Sequence, residues 1–399
     1  MGSWKLRYNP LFLFFIVFLT SCSEVTTNTN QNTSTVGSEN SGTTQSTQKY
    51  AVVLGSNFTD PIGTLGVIPI DAPRTPMKNI QTTHSDAVVQ AFGKLLYVVN
   101  RLGGDNIQVV DPSLNFKVTR QFSVGRGTNP QEIIVTEPTK GYVTLYQPED
   151  NRSADLTVDD LLIVNPETGK ILKTIDLTPF TGDDGERFAR ASAMLLVGDK
   201  IFVEVQDMPK DLSRRADQPG KLVAIDTKTD RITGSIVLQG RDPVAMNYAP
   251  ETGLLYIADA DYFDTSSPYG GIERVEPNTL KTEGIVIDDL LLGGAPGALE
   301  TDPSKGFVMV GFFNNEIGNF STKVVSFDLG REEVSPLSEI YRSRAFIQDI
   351  ALDENGILLV GDRDPKVNGI LFIDPSTSRV IDGPINLGSA PSSITFAEY

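Results

Sequence analysis

The sequence has 399 residues and a formal net charge of −17, with 51 Asp and Glu residues against 34 Lys and Arg residues. This acidic balance excludes a general nucleic-acid binder, which needs a basic surface to displace the counterions of the phosphates. One Cys and one His exclude an intramolecular disulfide framework, the usual Cys/His zinc sites and c-type haem attachment. No apolar run reaches about 18 residues, which excludes a multi-span membrane protein.

Residues 1–21 have the pattern of a secretory signal peptide. Lys5 and Arg7 form a short basic segment, and the apolar stretch Leu11–Leu19 follows. This stretch is too short to span a bilayer but has the usual length for a signal. The segment therefore predicts export from the cytoplasm.

The end of this segment, Leu19-Thr20-Ser21-Cys22, resembles the lipobox of bacterial lipoproteins. The resemblance implies cleavage before Cys22, a diacylglycerol on its thiol and acylation of its amine. Ser23 follows instead of Asp, which in that family implies the outer membrane of a cell with two membranes. We therefore expect a lipid-anchored protein of the cell envelope, periplasmic or exposed at the surface.

The segment 22–49 follows this signal, and after Cys22 it consists mostly of Ser, Thr, Asn and Gln. Such a composition buries too little apolar surface to offset chain entropy, so we expect a disordered tether. As a flexible coil it would reach about 30 Å. The domain prediction is thus a signal peptide (1–21), the lipidated Cys22 with its tether (22–49) and one globular unit (50–399).

A strand pattern recurs about seven times after residue 50. A short apolar strand, such as Leu96–Asn100 or Leu255–Asp259, is the second of four in each copy and is followed by a loop and a third strand that ends in a polar residue. The third strands end, in chain order, at Asp71, Asp111, Asn165, Asp226, Glu276, Asp328 and Asp374. Their mean spacing is about 50 residues, and each copy holds four short strands, which is typical of a β-propeller blade.

The sequence therefore predicts an all-β, seven-bladed propeller of four-stranded antiparallel blades. Six or eight blades, or a solenoid, are the alternatives. The repeat opens at Tyr50 with a second strand and ends at 391–399 with an inner strand. Pairing of these N- and C-terminal strands would complete one blade and remove the exposed sheet edges.

The copy at 94–135 resembles the YVTN-type propeller repeat of bacterial surface and periplasmic proteins. The matching segments are Leu96–Asn100, Ile107–Asp111, Phe122–Gly125 and Asn129-Pro130. The resemblance is weaker at 200–250 and 254–276. It implies the propeller fold, but the family includes binding proteins, surface-layer components and proteins of unknown role, so it does not single out an activity.

Loop lengths predict that one face of the propeller carries the function. The loops between second and third strands are long at 146–160, 206–220, 259–271, 313–322 and 362–369, whereas the turns of the opposite face are short. Binding residues concentrate on loops held by a rigid scaffold.

Basic and amide side chains mark the segments that lead into the inner strands. The candidate ligand-binding residues are His84, Arg126, Asn129, Arg190, Arg241, Arg342 and Arg344. Arginine offers a two-pronged donor to carboxylate or phosphate, so this set predicts a small anionic ligand, a protein or a polymer on the propeller face. The alternative is that the arginines pair with Asp86, Asp242 and Asp349 between blades.

Asp259, Asp261 and Asp264 place three carboxylates within one loop, which is a candidate calcium site because hard cations prefer oxygen ligands. The loop lacks the glycine and closing glutamate of an EF-hand, and a solvated acidic loop is the alternative. No other cofactor is indicated.

Catalytic motifs are missing from the sequence: there is no GxSxG, no P-loop and no second His. We therefore expect a non-catalytic binding or scaffold module. The alternatives are a hydrolase or lactonase-like enzyme with an axial site, and a surface-layer or adhesion component.

Overall fold

The computed structural model describes residues 48–147, 159–182, 187–209, 216–261, 267–330 and 337–399. Alternating apolar residues build short strands throughout these ranges, because one side of each strand packs toward each neighbouring blade. Seven four-stranded antiparallel sheets result. The prediction of an all-β, seven-bladed propeller is confirmed.

In the first four blades, from the innermost strand of each outward, the strands come in a constant order. Blade 1 contains β30 (Pro391–Glu398), β1 (Lys49–Gly55), β2 (Ile62–Pro69) and β3 (Met77–His84). Blade 2 contains β4 (Ala87–Phe92), β5 (Leu95–Asn100), β6 (Asn106–Asp111) and β7 (Lys117–Ser123). Blade 3 contains β8 (Pro130–Glu137), β9 (Lys140–Leu145), β10 (Leu161–Asn165) and β11 (Lys170–Ile175). Blade 4 contains β13 (Ala191–Val197), β14 (Lys200–Val205), β16 (Lys221–Asp226) and β17 (Arg231–Val237).

The remaining blades follow the same order. Blade 5 contains β18 (Pro243–Ala249), β19 (Leu254–Asp259), β20 (Gly271–Glu276) and β21 (Lys281–Asp288). Blade 6 contains β22 (Ala295–Thr301), β23 (Lys305–Asn314), β24 (Asn319–Asp328) and β25 (Ser338–Ser343). Blade 7 contains β26 (Ile347–Leu352), β27 (Leu358–Asp362), β28 (Gly369–Asp374) and β29 (Arg379–Ile385).

Little else is regular in the described residues. A two-stranded sheet pairs β12 (Arg187–Phe188) with β15 (Met208–Pro209). One short helix, α1 (Asp289–Leu292), leads from blade 5 to blade 6, and two 3₁₀ turns cover Pro112–Leu114 and Thr178–Phe180. No helix in these ranges is long and apolar enough to cross a membrane.

The core is divided into seven clusters, one between each pair of adjacent blades. Strand β5 shows how the alternation builds them. Leu96 and Val98 pack toward blade 1, whereas Tyr97 and Val99 pack toward blade 3. The inner strands contact one another in ring order, β4 to β8 and onward until β30 returns to β4.

The ring closes as the sequence predicts. Strand β1 pairs on one side with β2 and on the other with β30, in a register that sets Lys49 opposite Glu398. Tyr399 stacks on Tyr50 with ring centroids 4.9 Å apart, and Phe116 of blade 2 meets Tyr399 edge-on at 5.3 Å. The chain ends are thereby fastened to each other and to the neighbouring blade.

The two faces of the ring differ. One, the turn face, carries the turns between first and second strands and between third and fourth strands. Many of these turns are closed by their own polar side chains: Asp226 Oδ1 accepts the N–H groups of Lys228 and Thr229, and Asp374 Oδ1 accepts that of Ser376. Hydrogen bonds from the Thr229 and Ser376 hydroxyls, together with these backbone bonds, lower the pKa values of Asp226 and Asp374. The opposite one, the loop face, carries all other connections.

One loop-face segment differs from the sequence prediction. Residues 313–322 do not form the predicted long loop, because β23 and β24 extend to Asn314 and Asn319, and the turn itself is only four residues. Phe313 and Phe320 pair across the strands in an edge-to-face contact at 5.5 Å. Asn314 Oδ1 accepts the Glu316 N–H and Gly318 adopts φ +62°, which together close a tight turn.

Candidate binding face

Two of the sequence-predicted residues hold loops together. His84 Nδ1 accepts the backbone N–H of Asp86 at 3.1 Å, and the His84 N–H donates to Asn100 Oδ1 at 2.7 Å. Asn129, buried and in the left-handed region at φ +49°, accepts the Leu102 N–H at 2.9 Å and donates to Gln147 Oε1 at 3.0 Å. Both side chains therefore organise the loops beside the inner strands.

Arg190 is almost completely buried, at 1% exposure. Its guanidinium donates to the Tyr146 carbonyl at 2.8 Å and approaches the rings of Phe188 (4.7 Å) and Tyr146 (5.1 Å). Through these contacts the cation joins the loops of blades 3 and 4.

Arg241 and Arg126 are more accessible. The Arg241 guanidinium lies 3.7 Å from the ring centroid of Tyr269, on the loop face of blade 5. Arg126 is exposed and lines an open cleft of about 500 Å³ with Asp105, Gln121 and Ser123. In that cleft the Asp105 carboxylate already accepts hydrogen bonds from the backbone N–H groups of Gly127 and Asn129.

Arg342 lies on β25, the outermost strand of blade 6, where it pairs with Glu339. Arg344 follows that strand and is exposed. The predicted basic residues are thus distributed over the connections of several blades. Two other arginines also hold neighbouring blades together: Arg101 pairs with Asp86 and donates to Gln131, and Arg363 donates to the carbonyls of Ser56, Ala390 and Pro391.

A belt of polar groups also joins the inner strands. Glu132 accepts Gln90 Nε2 at 2.8 Å and the Met194 N–H at 2.5 Å, so one carboxylate connects blades 2, 3 and 4. Asp349 accepts the Ile394 N–H at 2.7 Å between blades 7 and 1. These polar residues are satisfied by the ring itself, as buried polar groups generally are.

Three fully buried acids lie between blades 4 and 5: Glu204, Asp259 and Glu273. The Glu273 carboxylate accepts hydrogen bonds from the N–H groups of Gln239 and Gly240 and from the Thr282 hydroxyl. Glu204 accepts the Ser192 hydroxyl at 3.1 Å, and burial raises its pKa to about 8. Among the described residues neither oxygen of Asp259 has a hydrogen-bond partner, and burial, followed by the charges of Glu273 and Glu204, raises its pKa well above the usual range.

The predicted calcium ligands include Asp259. Asp261 is also buried, with φ +40°, and Asp264 lies outside the described residues. Within the part of the chain that the structure describes, no group of three or more His, Cys, Asp or Glu side chains is placed to hold a metal ion. Calcium at this loop stays a prediction.

Apart from Arg342, sequence reasoning missed an exposed apolar and basic surface on blades 5 and 6. Leu290 and Leu291 of α1 are 76% and 58% exposed, and Phe312 lies on the adjoining hairpin with Lys323. The Lys323 ammonium and the Arg342 guanidinium approach the Phe312 ring at 5.8 and 4.7 Å. The available signals were the run Leu290–Leu292 between Asp and Gly residues and the Phe312-Phe313 pair beyond the expected end of a strand.

Comparisons with known proteins bear on the fold alone. No protein-family model and no curated protein matches the chain. Among solved structures, a chain in a crystal structure of the mitotic checkpoint complex matches with a TM-score of 0.50 and 11% sequence identity, over 86% of this chain and 95% of that chain. In all, 868 chains match, so the architecture is common and does not by itself identify an activity.

Proposed function

We propose that this chain is a lipid-anchored β-propeller of the bacterial cell envelope, of the YVTN-type repeat family, that binds a protein partner through its loop face without catalysing a reaction. The observation that carries the proposal is the contrast between the faces. Several turn-face aspartates accept the N–H groups of their own turns, whereas the loop face exposes two adjacent apolar residues, Leu290 and Leu291, beside basic ones. Such patches on otherwise polar surfaces mark interaction sites.

The position of the N-terminal strand supports a loop face that is directed away from the membrane. Strand β1 starts at Lys49 on the turn face and runs toward the loop face, and Gln48 exchanges backbone hydrogen bonds with Tyr399 beside it. A tether that precedes Lys49 would enter the ring on the turn face. With Cys22 as the lipidation site, the loop face would point away from the membrane that holds the anchor.

Site-specific photo-crosslinking in cells tests the proposal. A photoreactive residue at Thr59 or Arg126, both exposed on the loop face, is expected to yield protein adducts. The matched turn-face positions Glu167 and Asn355 are expected to yield none. Cys22→Ser is expected to move the protein out of the membrane fraction. Adducts from the turn face alone, or a Cys22→Ser protein that stays in the membrane fraction, would contradict the corresponding part of the proposal.

A further inference from the structure

We propose that α1 and the adjoining side of the blade 6 hairpin form a docking surface for a segment of a protein partner that presents apolar side chains next to a carboxylate. This helix–hairpin surface consists of Leu290, Leu291, Phe312, Lys323 and Arg342. The inference rests on the proposed function, which it deepens by naming the surface and the chemistry of the partner.

The strand pattern brings these residues to one side of the blade. In β23, Val308 and Val310 pack in the cluster shared with blade 5, and Phe312 continues that alternation beyond the cluster. In β24, Val325 and Phe327 belong to the same cluster, and Lys323 precedes them on the same side. Arg342 is the cross-strand partner of Lys323, so it shares that side as well.

Two glycines that directly follow helix α1 lie close to this part of the hairpin. A Cβ atom on Gly294 would lie 2.3 Å from the Gly311 carbonyl oxygen, and one on Gly293 would lie 3.1 Å from Lys323 Nζ. Such close approach requires glycine at Gly294. Asp288 caps the helix by accepting the Leu291 N–H at 2.6 Å, and the helix then presents Leu290 and Leu291 to solvent.

Exposure of two adjacent leucines is costly in water, so removing their apolar surface from solvent favours binding. On the opposite side of α1, Asp289 and Leu292 are buried and anchor the helix to the ring. The leucines thus lie outside the core of the ring, and their adjacent apolar side chains are accessible to a partner.

The charges at this surface select the partner's chemistry. Lys323 is half-buried and makes no hydrogen bond or ion pair with the described residues, while Arg342 lies beside it and, among those residues, pairs only with Glu339. Burial and the neighbouring Arg342 charge lower the pKa of Lys323. A carboxylate placed between the Lys323 and Arg342 cations would relieve that repulsion, although the protein as a whole carries a net charge of −17.

The experiment selects phage-displayed random twelve-residue peptides on the full chain and measures binding of the synthetic consensus peptide. We expect the consensus to place Leu, Ile or Phe beside Asp or Glu. The double substitution Leu290→Ser/Leu291→Ser is expected to weaken binding about tenfold or more. Lys323→Met, which keeps the apolar stem, is expected to weaken it several-fold and to reduce its dependence on salt.

The matched control is Ile62→Ser. Ile62 is 60% exposed at the start of β2 in blade 1, on the loop face but outside the helix–hairpin surface. Binding within twofold of the unmodified chain is expected. Thermal unfolding of every variant, compared with that of the unmodified chain, verifies that the propeller is intact.

Four outcomes would overturn the inference. If no peptide is enriched, or if all variants bind the peptide equally well, this surface is not the docking site. Crosslinks from Thr59 or Arg126 on the loop face would in that case still support the proposed function. Self-association that Leu290→Ser/Leu291→Ser abolishes would make the occupant a second copy. Sedimentation with anionic phospholipid vesicles that the same variant abolishes, in place of peptide binding, would make it a membrane.

Discussion

At the scale of single residues, the buried acids between blades 4 and 5 behave unlike the acids of the turns. Asp226 is only partly buried and accepts hydrogen bonds from several donors, so its charged form is stabilised. Glu204 is fully buried, and its neutral form is stabilised instead although the Ser192 hydroxyl donates to it. The same chemical group is thus a turn-closing anion in one place and a neutral core residue in another, because the balance between burial and nearby donors differs.

Glu204 makes the stability of the ring dependent on pH. Its pKa is about 8 in the folded chain against 4.5 in the unfolded chain, so the folded state keeps a proton that the unfolded state releases between these values. The contribution of neutral Glu204 to stability should therefore be fully present below about pH 4.5 and be lost as the pH rises toward 8, by at most about 1.4 kcal/mol per pH unit. Glu204→Gln should flatten the decline in melting temperature between pH 5 and pH 8.5.

Glu251→Gln is the control for this measurement. Glu251 lies in an exposed turn, and its substitution should leave the slope of melting temperature against pH unchanged. A Glu204→Gln profile parallel to that of the unmodified chain would show that Glu204 is ionised in the folded state.

At the scale of elements, individual blades are joined by side chains as well as by apolar packing. Glu132 on β8 accepts one hydrogen bond from Gln90 of β4 and another from the backbone of β13. An inner strand pairs with another strand along one edge only, and its other edge faces the axis of the ring. Here the Glu132 carboxylate accepts hydrogen bonds from two neighbouring inner strands.

Removing this connection should be costly. Glu132→Ala leaves the Met194 N–H and the Gln90 amide buried without an acceptor, which should lower the free energy of unfolding by about 2–4 kcal/mol. Glu137→Ala, at the exposed end of the same strand, should change it by less than about 0.5 kcal/mol. Urea unfolding measures both, and Glu132→Gln, which keeps one acceptor, should give an intermediate value. Equal stabilities for the two alanine variants would refute the bridging role.

At the scale of the whole molecule, the ring depends on the pairing of its first and last strands. Tyr399 contributes through its ring, which stacks on Tyr50 and meets Phe116 of blade 2. Burial raises its pKa to about 12, with a further contribution from the Tyr50 hydroxyl.

Substitutions at Tyr399 should separate ring packing from the hydroxyl. Tyr399→Ala should lower the free energy of unfolding by about 2 kcal/mol or more, since aromatic contacts and buried area are both lost. Tyr399→Phe keeps the stack and should cost less than about 0.5 kcal/mol. Unfolding monitored by circular dichroism decides between them, and similar losses for both variants would assign the effect to the hydroxyl.

The sequence predicted the ring because its determinants are local: alternation within each strand, and an Asp or Asn that closes the following turn, as at Asp111 and Asp374. It did not predict the long hairpin of blade 6, because Phe313 and Phe320 extend the strands through a contact across the turn. The roles of Glu132 and Glu204 were also missed. Their partners or neighbours lie on other strands that are distant in sequence. The sequence around an acid in a strand also does not show whether its side chain faces solvent or a neighbouring blade.

The position of β1 has a mechanical consequence. This strand lies inside blade 1, antiparallel to β2 on one side and β30 on the other. A pull on residues before Lys49 would act along the strand axis and load both ladders in shear, so that many hydrogen bonds resist at once. A pull at right angles to the strand would open them one at a time. With an anchor at Cys22 and a partner on the loop face, tension between the two would cross the ring and pull β1 along its axis. In this direction the strand resists best.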